Sequence, residues 1–342
     1  MATETLNLQS DLRISILFNI SGPLCLGVAS IYCYNIRISF TQINKLLLAL
    51  GLPIISMVMY LVLYTPDLKE VLTGTGSNAE TSGGFGPNQV ATVLGIGMFI
   101  FFTRLIFDSK TKLLFMVNLL VVCNIIYRGL VTFSRGGMIT GFLMILILLF
   151  FLYKNSNHAG RYKLNLLFVF MSIIFCFTWL YTSVQTNGLI DKRYANQDAS
   201  GRVKESNFTG REEILESEID DFLESPVFGV GVAKALEIRE VKTGGQIIAS
   251  HSEISRTLAE HGAMGIIALM IVFFTPIFLF LENKQHIYMF CFLIFWLLTI
   301  NHAAMRIAAP AFVYALSLLK VTFDEEPRKQ TIDDENNLKS II

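Results

Sequence analysis

Charge is what this sequence has least of. Asp, Glu, Lys and Arg make up 16% of the 342 residues against 53% hydrophobic, with a mean hydropathy of +0.55. Those proportions exclude an ordinary soluble enzyme and place the chain with polytopic membrane proteins. The 27 basic and 27 acidic side chains cancel, so no net field attracts nucleic acid. Paired cysteine spacing is also missing: Cys25, Cys33, Cys123, Cys176 and Cys291 all lie in apolar runs. They form neither a disulfide framework nor a zinc site and read as small core residues. No internal repeat or low-complexity tract is found, and Gly229-Val230-Gly231 is too short for a phosphate-binding fingerprint. Residues 1–13 are polar, without the basic start and small-residue cleavage site of a signal peptide, so the first apolar run is expected to be retained.

What the sequence does have is apolar runs of about the 20 residues a helix needs to cross a bilayer. Nine are expected to span, near residues 14–34, 46–65, 88–107, 113–132, 137–153, 164–184, 264–281, 287–302 and 307–322. The last two are short and are interrupted by Asn301, His302 and Arg306. With no water in the hydrocarbon to satisfy the backbone, an all-α polytopic membrane fold is expected. It divides into a transmembrane region over 1–184, a long and partly helical polar loop over 185–263 between the sixth and seventh spans, a second transmembrane region over 264–322, and a tail over 323–342.

Alternating the loops sorts the charges. One side receives Arg37, Lys45, Arg104, Lys110, Lys112, Lys154, Arg161, Lys163, Lys284, Lys320, Arg328, Lys329 and Lys339. The short loops of the other side hold Arg13, Lys69, Arg135 and Arg306. The positive-inside rule counts short loops, so the first group is expected in the cytoplasm and the long loop outside. The N-terminus then also lies outside, as it would if an N-terminal span were missing.

Soluble chemistry must come from the 185–263 loop and the turns beside it. Residues 211–224 place Ile214, Leu215, Ile219, Phe222 and Leu223 at helical spacing among acids, an amphipathic helix lying on the bundle or the membrane face. Pro226 and the glycines of Phe228-Gly229-Val230-Gly231 end it in a turn. A second helix is expected over 253–261, leading through Gly262-Ala263-Met264-Gly265 into the next span.

Three residues stand out in this outer region. Arg135, in Ser134-Arg135-Gly136-Gly137, sits at a span boundary. By itself an arginine there is a snorkelling anchor, but the flanking glycines admit a large anion and a guanidinium matches phosphate with two parallel hydrogen bonds. Arg211 opens the loop helix beside Glu212 and Glu213, where a surface ion pair is the plain reading. His251 precedes the helix that re-enters the membrane. Imidazole takes a proton near neutral pH and is the commonest general base. Ser252, Glu253, Glu260 and His261 surround it as supporting or capping residues. His158, His286 and His302 read as loop or interface residues.

Taken in order, Ser-Arg-Gly-Gly at 134–137, Gly-Arg at 210–211, Ser225-Pro226-Val227-Phe228-Gly229-Val230-Gly231, His251-Ser252-Glu253 and Glu260-His261-Gly262 resemble the O-antigen ligase and polysaccharide polymerase superfamily, over roughly residues 80–320. Gly86-Pro87-Asn88-Gln89 is similar to the family's pattern at the third span. The resemblance implies a bacterial inner-membrane glycosyltransferase working on the periplasmic side. It would take glycan from an undecaprenyl pyrophosphate carrier and pass it to a glycan or lipid-linked acceptor, without a metal or other cofactor. Arg135 and Arg211 would grip the pyrophosphate and His251 would activate the acceptor hydroxyl. The chain departs from the family in being short at its N-terminus, so either those helices are lacking or the start is late. A transporter or flippase is the rival reading, since Asn118, Asn124 and Arg128 within spans can line a path. The matching halves expected around a transporter's midplane site are not found.

Overall fold

The structure, a computed structural model, describes residues 10–204, 211–242, 250, 252–301 and 308–323. Its first half runs α1 (Ser10–Cys33), β1 (Arg37–Ser39), α2 (Phe40–Tyr64), α3 (Leu68–Val71), α4 (Pro87–Phe107), α5 (Lys112–Val131), α6 (Arg135–Asn155) and α7 (His158–Gln185). There follow α8 (Leu189–Tyr194), α9 (Arg211–Glu224), α10 (Lys234–Lys242), α11 (Glu253–Glu282), α12 (Met289–Ile300), α13 (Ala309–Leu316) and β2 (Lys320–Thr322). Seven helices, α1, α2, α4, α5, α6, α7 and α11, are long and apolar enough to cross a membrane. The multi-pass, helical architecture expected from composition is what is observed.

Polar residues at the loop edges start these helices. Ser39 and Gln42 form a reciprocal capping box on α2, and Pro87 occupies the first turn of α4, where its missing N–H costs nothing. Thr111 caps α5 through the Leu114 N–H at 3.2 Å, and Asn157 caps α7 through Gly160 at 2.9 Å.

The nine expected spans meet seven helices of crossing length among the described residues. Residues 287–302 and 307–322 hold instead α12, of 12 residues, and α13, of 8. A 12-residue helix rises about 18 Å, well short of the hydrocarbon thickness. Asn301 ends α12. Beyond α13 the chain turns at Ser317 and enters β2, which pairs in parallel with β1 in the register Arg37↔Lys320, Ile38↔Val321, Ser39↔Thr322. This small ladder and an isolated antiparallel bridge between Gln197 and Val203 are the departures from an all-helical reading among the described residues.

Helix α4 is the central post: 78% of its spanning window is buried in the protein, against 0% for α7, whose apolar surface faces outward. Small residues let α6 lie against it. A Cβ on Gly95 would come within 2.2 Å of the Gly137 carbonyl oxygen, and one on Gly141 within 2.4 Å of the Gly95 carbonyl. Such small-residue contacts are a usual way for membrane helices to approach closely.

The bundle has two distinguishable ends. At one, the β1–β2 ladder lies with Phe40, which packs on Phe107, Tyr288 and Phe323, and Asn283 donates to the Val321 carbonyl at 2.8 Å. Phe151, near the C-terminus of α6, stacks on Phe280 and Phe290 there. Helices α6 and α11 therefore run in the same direction, and both begin at the other end.

Candidate active site

At that other end, the turn between α5 and α6 is built from its own hydroxyls. Thr132 donates to the Gly129 carbonyl at 2.7 Å and accepts from the Ser134 N–H at 3.2 Å. Phe133, buried at 1% exposure, is held at φ 57°, a left-handed conformation costly for a bulky side chain and stabilised only by strong surroundings. The Ser134 hydroxyl donates to Asn88 Oδ1 at 2.7 Å, which ties the turn to the first turn of α4. Arg135 follows as the first residue of α6.

Short helix α8 closes over this turn. Arg193 Nε donates to the Phe133 carbonyl at 2.9 Å, and Arg135 Nη1 reaches the Arg193 carbonyl at 3.4 Å. Asp191 fastens α8 to α7 by accepting from Trp179 Nε1 at 2.7 Å and from the Ser183 hydroxyl. Burial pushes the Tyr194 phenol up to about 12, with Arg135 and Arg193 pulling the other way. Tyr194 is therefore a neutral wall beside two guanidinium groups. Among the described residues the 3.4 Å contact is the one hydrogen bond Arg135 makes, although a guanidinium carries five donors. Gly137, expected to make room for that anion, is used otherwise: a Cβ there would lie 2.3 Å from the Ala91 backbone of α4.

The second part of the site is the start of α11. Ser252 caps this helix through the Ser255 N–H at 3.4 Å, and its hydroxyl lies 3.2 Å from Asn301 Oδ1 at the end of α12. His251 lies outside the described residues, as do His302 and Gly210, and so does the side chain of Arg211, whose backbone opens α9 as expected. The neighbours of residue 251 are held firmly. Ser250 is buried at 8% exposure and its hydroxyl accepts from the Ser252 N–H at 3.3 Å.

Behind the cap lies a charged cluster that is almost fully enclosed. Arg256 pairs with Glu253 one turn before it and, at 3.6 Å, with Glu260 one turn after, and it reaches the Asn19 carbonyl of α1. Glu260 also accepts from the Ala233 N–H at 3.0 Å. His261 is exposed. Glu218 of α9 pairs with Arg239 of α10 at 2.8 Å. The helix expected over 211–224 is present, but its protein-facing side carries Ile214, Glu218 and Asp221. Leu215, Ile219 and Leu223 point outward, at 45%, 40% and 67% exposure.

The turn after α9 locks onto α11 through two glycines. The expected helix over 253–261 continues through Gly262 into the span, and Gly262 breaks it with φ 59° and ψ −143°. Val230 N–H donates to the Ala259 carbonyl at 2.9 Å, Gly231 N–H to the Glu260 carbonyl at 3.1 Å, and Ala263 N–H to the Pro226 carbonyl at 2.8 Å. A Cβ on Gly229 would sit 2.3 Å from the Glu260 carbonyl carbon, and one on Gly262 would sit 2.7 Å from Gly229 N. The two glycine motifs, far apart in sequence, are two halves of one contact.

Arg135, the start of α9 and the start of α11 thus share one end of the bundle. The residues that sequence patterns did not single out are Arg256, Arg239, Glu218 and Ser250. Glu253, Arg256 and Glu260 had a local signal, acids at three before and four after a cation on one helix. Among the described residues no three His, Cys, Asp or Glu side chains come together in a metal-holding group. His286, at the ladder end, lies in the connection between α11 and α12 as a loop residue, but a buried one: it is 2% exposed and its Nε2 lies 2.8 Å from the Leu316 carbonyl.

A family model described as O-antigen ligase matches residues 120–270, from the middle of α5 to beyond the Gly262 break in α11. The match includes Arg135, Arg211 and residues 250–262. No curated protein matches the chain.

Proposed function

Because this chain belongs to the O-antigen ligase and polymerase superfamily of membrane glycosyltransferases, we propose that it takes glycan from an undecaprenyl pyrophosphate-linked donor at the outer face of a bacterial inner membrane. In this reading Arg135 and Arg211 hold the pyrophosphate. His251 removes the proton from the acceptor hydroxyl as its oxygen bonds to the anomeric carbon. The bond from that carbon to the pyrophosphate breaks, and undecaprenyl pyrophosphate leaves with the electron pair. Its developing negative charge is what two permanent cations stabilise without a metal. The acceptor is a second carrier-linked glycan or a lipid-anchored one.

The observation that carries the reading is one-sidedness. Arg135 on a braced turn, the helix opened by Arg211 and the capped entry to α11 beside residue 251 all stand at one end of a bundle built on seven long apolar helices. A transport path would instead place its polar groups near the middle of the spans.

The deciding experiment replaces His251 with Ala and with Gln and follows glycan transfer in membranes of a deletion strain, with and without a strong chelator. Both variants are expected at normal membrane abundance, with transfer reduced by about 10² to 10⁴. The wild-type rate is expected to persist in chelator. Normal product from His251→Ala would remove the base assignment, and a strict metal requirement would remove the two-arginine account of the leaving group.

A further inference from the structure

Glu218 is 1% exposed although its helix, α9, stands outside the apolar bundle. Burying a carboxylate costs several kcal/mol unless every oxygen is well partnered, and an ordinary surface helix has no need of one. Both oxygens of Glu218 are used. Oε1 accepts from Arg239 Nη2 of α10 at 2.8 Å, while Oε2 accepts from the Ser255 hydroxyl at 2.6 Å and lies 3.3 Å from the Ser250 hydroxyl. The Arg239 pair alone would fasten α9 to α10. The other two contacts reach across to the chain on either side of residue 251.

The Ser250 hydroxyl has a particular position in this arrangement. It accepts from the Ser252 N–H at 3.3 Å and lies 3.0 Å from the Ser252 carbonyl, so it bridges directly over the intervening residue. Ser252 is fixed in turn by capping α11 and by Asn301. A two-residue bridge of this kind, set on a buried carboxylate, fixes Ser250 and Ser252, the residues on either side of position 251.

We infer that Glu218 is a positioning residue for the transfer reaction: anchored by Arg239, its carboxylate holds the Ser250 and Ser255 hydroxyls and so fixes the orientation of His251. The inference rests on the reading of His251 as the base. Misplacing a catalytic group by about 1 Å costs on the order of 10²-fold in rate. Such a loss belongs to kcat, because Arg135 and Arg211, assigned to the pyrophosphate, are left unchanged, and in the serine pair α9, which Arg211 opens, also keeps its Glu218–Arg239 anchor.

The test uses purified full-length protein in detergent, with lipid-linked glycan extracted from the host's membranes as donor. Glu218→Gln and the pair Ser250→Ala with Ser255→Ala are each made in the wild type and in His251→Ala. Each is expected to lower kcat by roughly 10- to 100-fold with the donor KM unchanged, and to cause no further loss once His251 is gone. A loss confined to KM, a loss that persists in full in the His251→Ala background, or no loss at all would overturn the inference. If Glu218→Gln does not accumulate because the ion pair with Arg239 is lost, the serine pair, which leaves that ion pair in place, decides by the same criteria. Full activity in His251→Ala would instead overturn the base reading itself, whereas an inactive His251→Ala beside fully active serine and Glu218 variants would overturn only the role of Glu218.

Discussion

At the scale of single residues, the two arginines of the proposed site differ from ordinary interface anchors in what lysine should do to them. An anchor needs only a long stem and a charge, and lysine supplies both. A pyrophosphate grip needs two parallel N–H donors in a plane, which lysine lacks. Arg135→Lys and Arg211→Lys are therefore each expected to fail to restore transfer in a deletion strain at normal membrane abundance. Full activity in both would reduce them to anchors. His286 gives a different kind of residue-level expectation. Burial pushes its imidazole down to about 4, from an ordinary value near 6.5. The native state thus keeps it neutral where the unfolded chain takes up a proton. Its contribution is complete above pH 6.5 and is lost as pH falls from 6.5 toward 4, amounting to roughly 2 kcal/mol by pH 5. Thermal unfolding in detergent should show that decline in the wild type and a flatter one in His286→Gln.

At the scale of elements, what sequence could reveal depended on how local the cause was. The existence of α9 and the break of α11 at Gly262 were legible because helical spacing, Pro226 and the glycines act within a few residues. The buried face of α9 was not. Its apolar residues suggested one side, yet Glu218 turns inward because its partners Arg239, Ser250 and Ser255 lie 21, 32 and 37 residues further on. Gly229 and Gly231 were recognised as a turn and Gly262 as the passage from the loop helix into the span, but that one is the socket for the other emerges only in three dimensions. Gly262 occupies a backbone region essentially closed to other residues, so Gly262→Ala carries a strain of about 1–3 kcal/mol before its methyl meets Gly229. Limited proteolysis should find cleavage within residues 225–262 sharply increased in Gly262→Ala and Gly229→Ala. Val227→Ala, at a position 55% exposed, should cleave like the wild type. Equal resistance in all three would mean that the socket does not hold the turn.

At the scale of the whole molecule, nine apolar runs were counted where seven helices among the described residues have crossing length, because hydropathy registers an apolar segment whether or not it continues as helix. Composition has no signal for the ladder that follows α13. The division of the loops between two ends was readable, since α1–α2, α4–α5 and α11–α12 connections carry the basic residues and do meet at the ladder end. If that end is cytoplasmic, an impermeant thiol reagent on spheroplasts should label a cysteine placed at Ser200 or Lys242 and spare one at Asn157 or Asn336, after the five native cysteines are replaced. The reverse pattern would remove the periplasmic reading of the site.

The ladder also bears on how the chain is made. Thr322 donates to the Ile38 carbonyl across 284 residues, and Lys320 N–H to that of Ile36 at 2.8 Å. At ribosomal speed β1 therefore waits on the order of tens of seconds, its edge unpaired, for a strand that follows it by more than 280 residues. The six residues of β1 and β2 act as a late fastener, and a ribosome that stops before Lys320 releases a chain that has its long apolar helices but lacks the strand that pairs with β1.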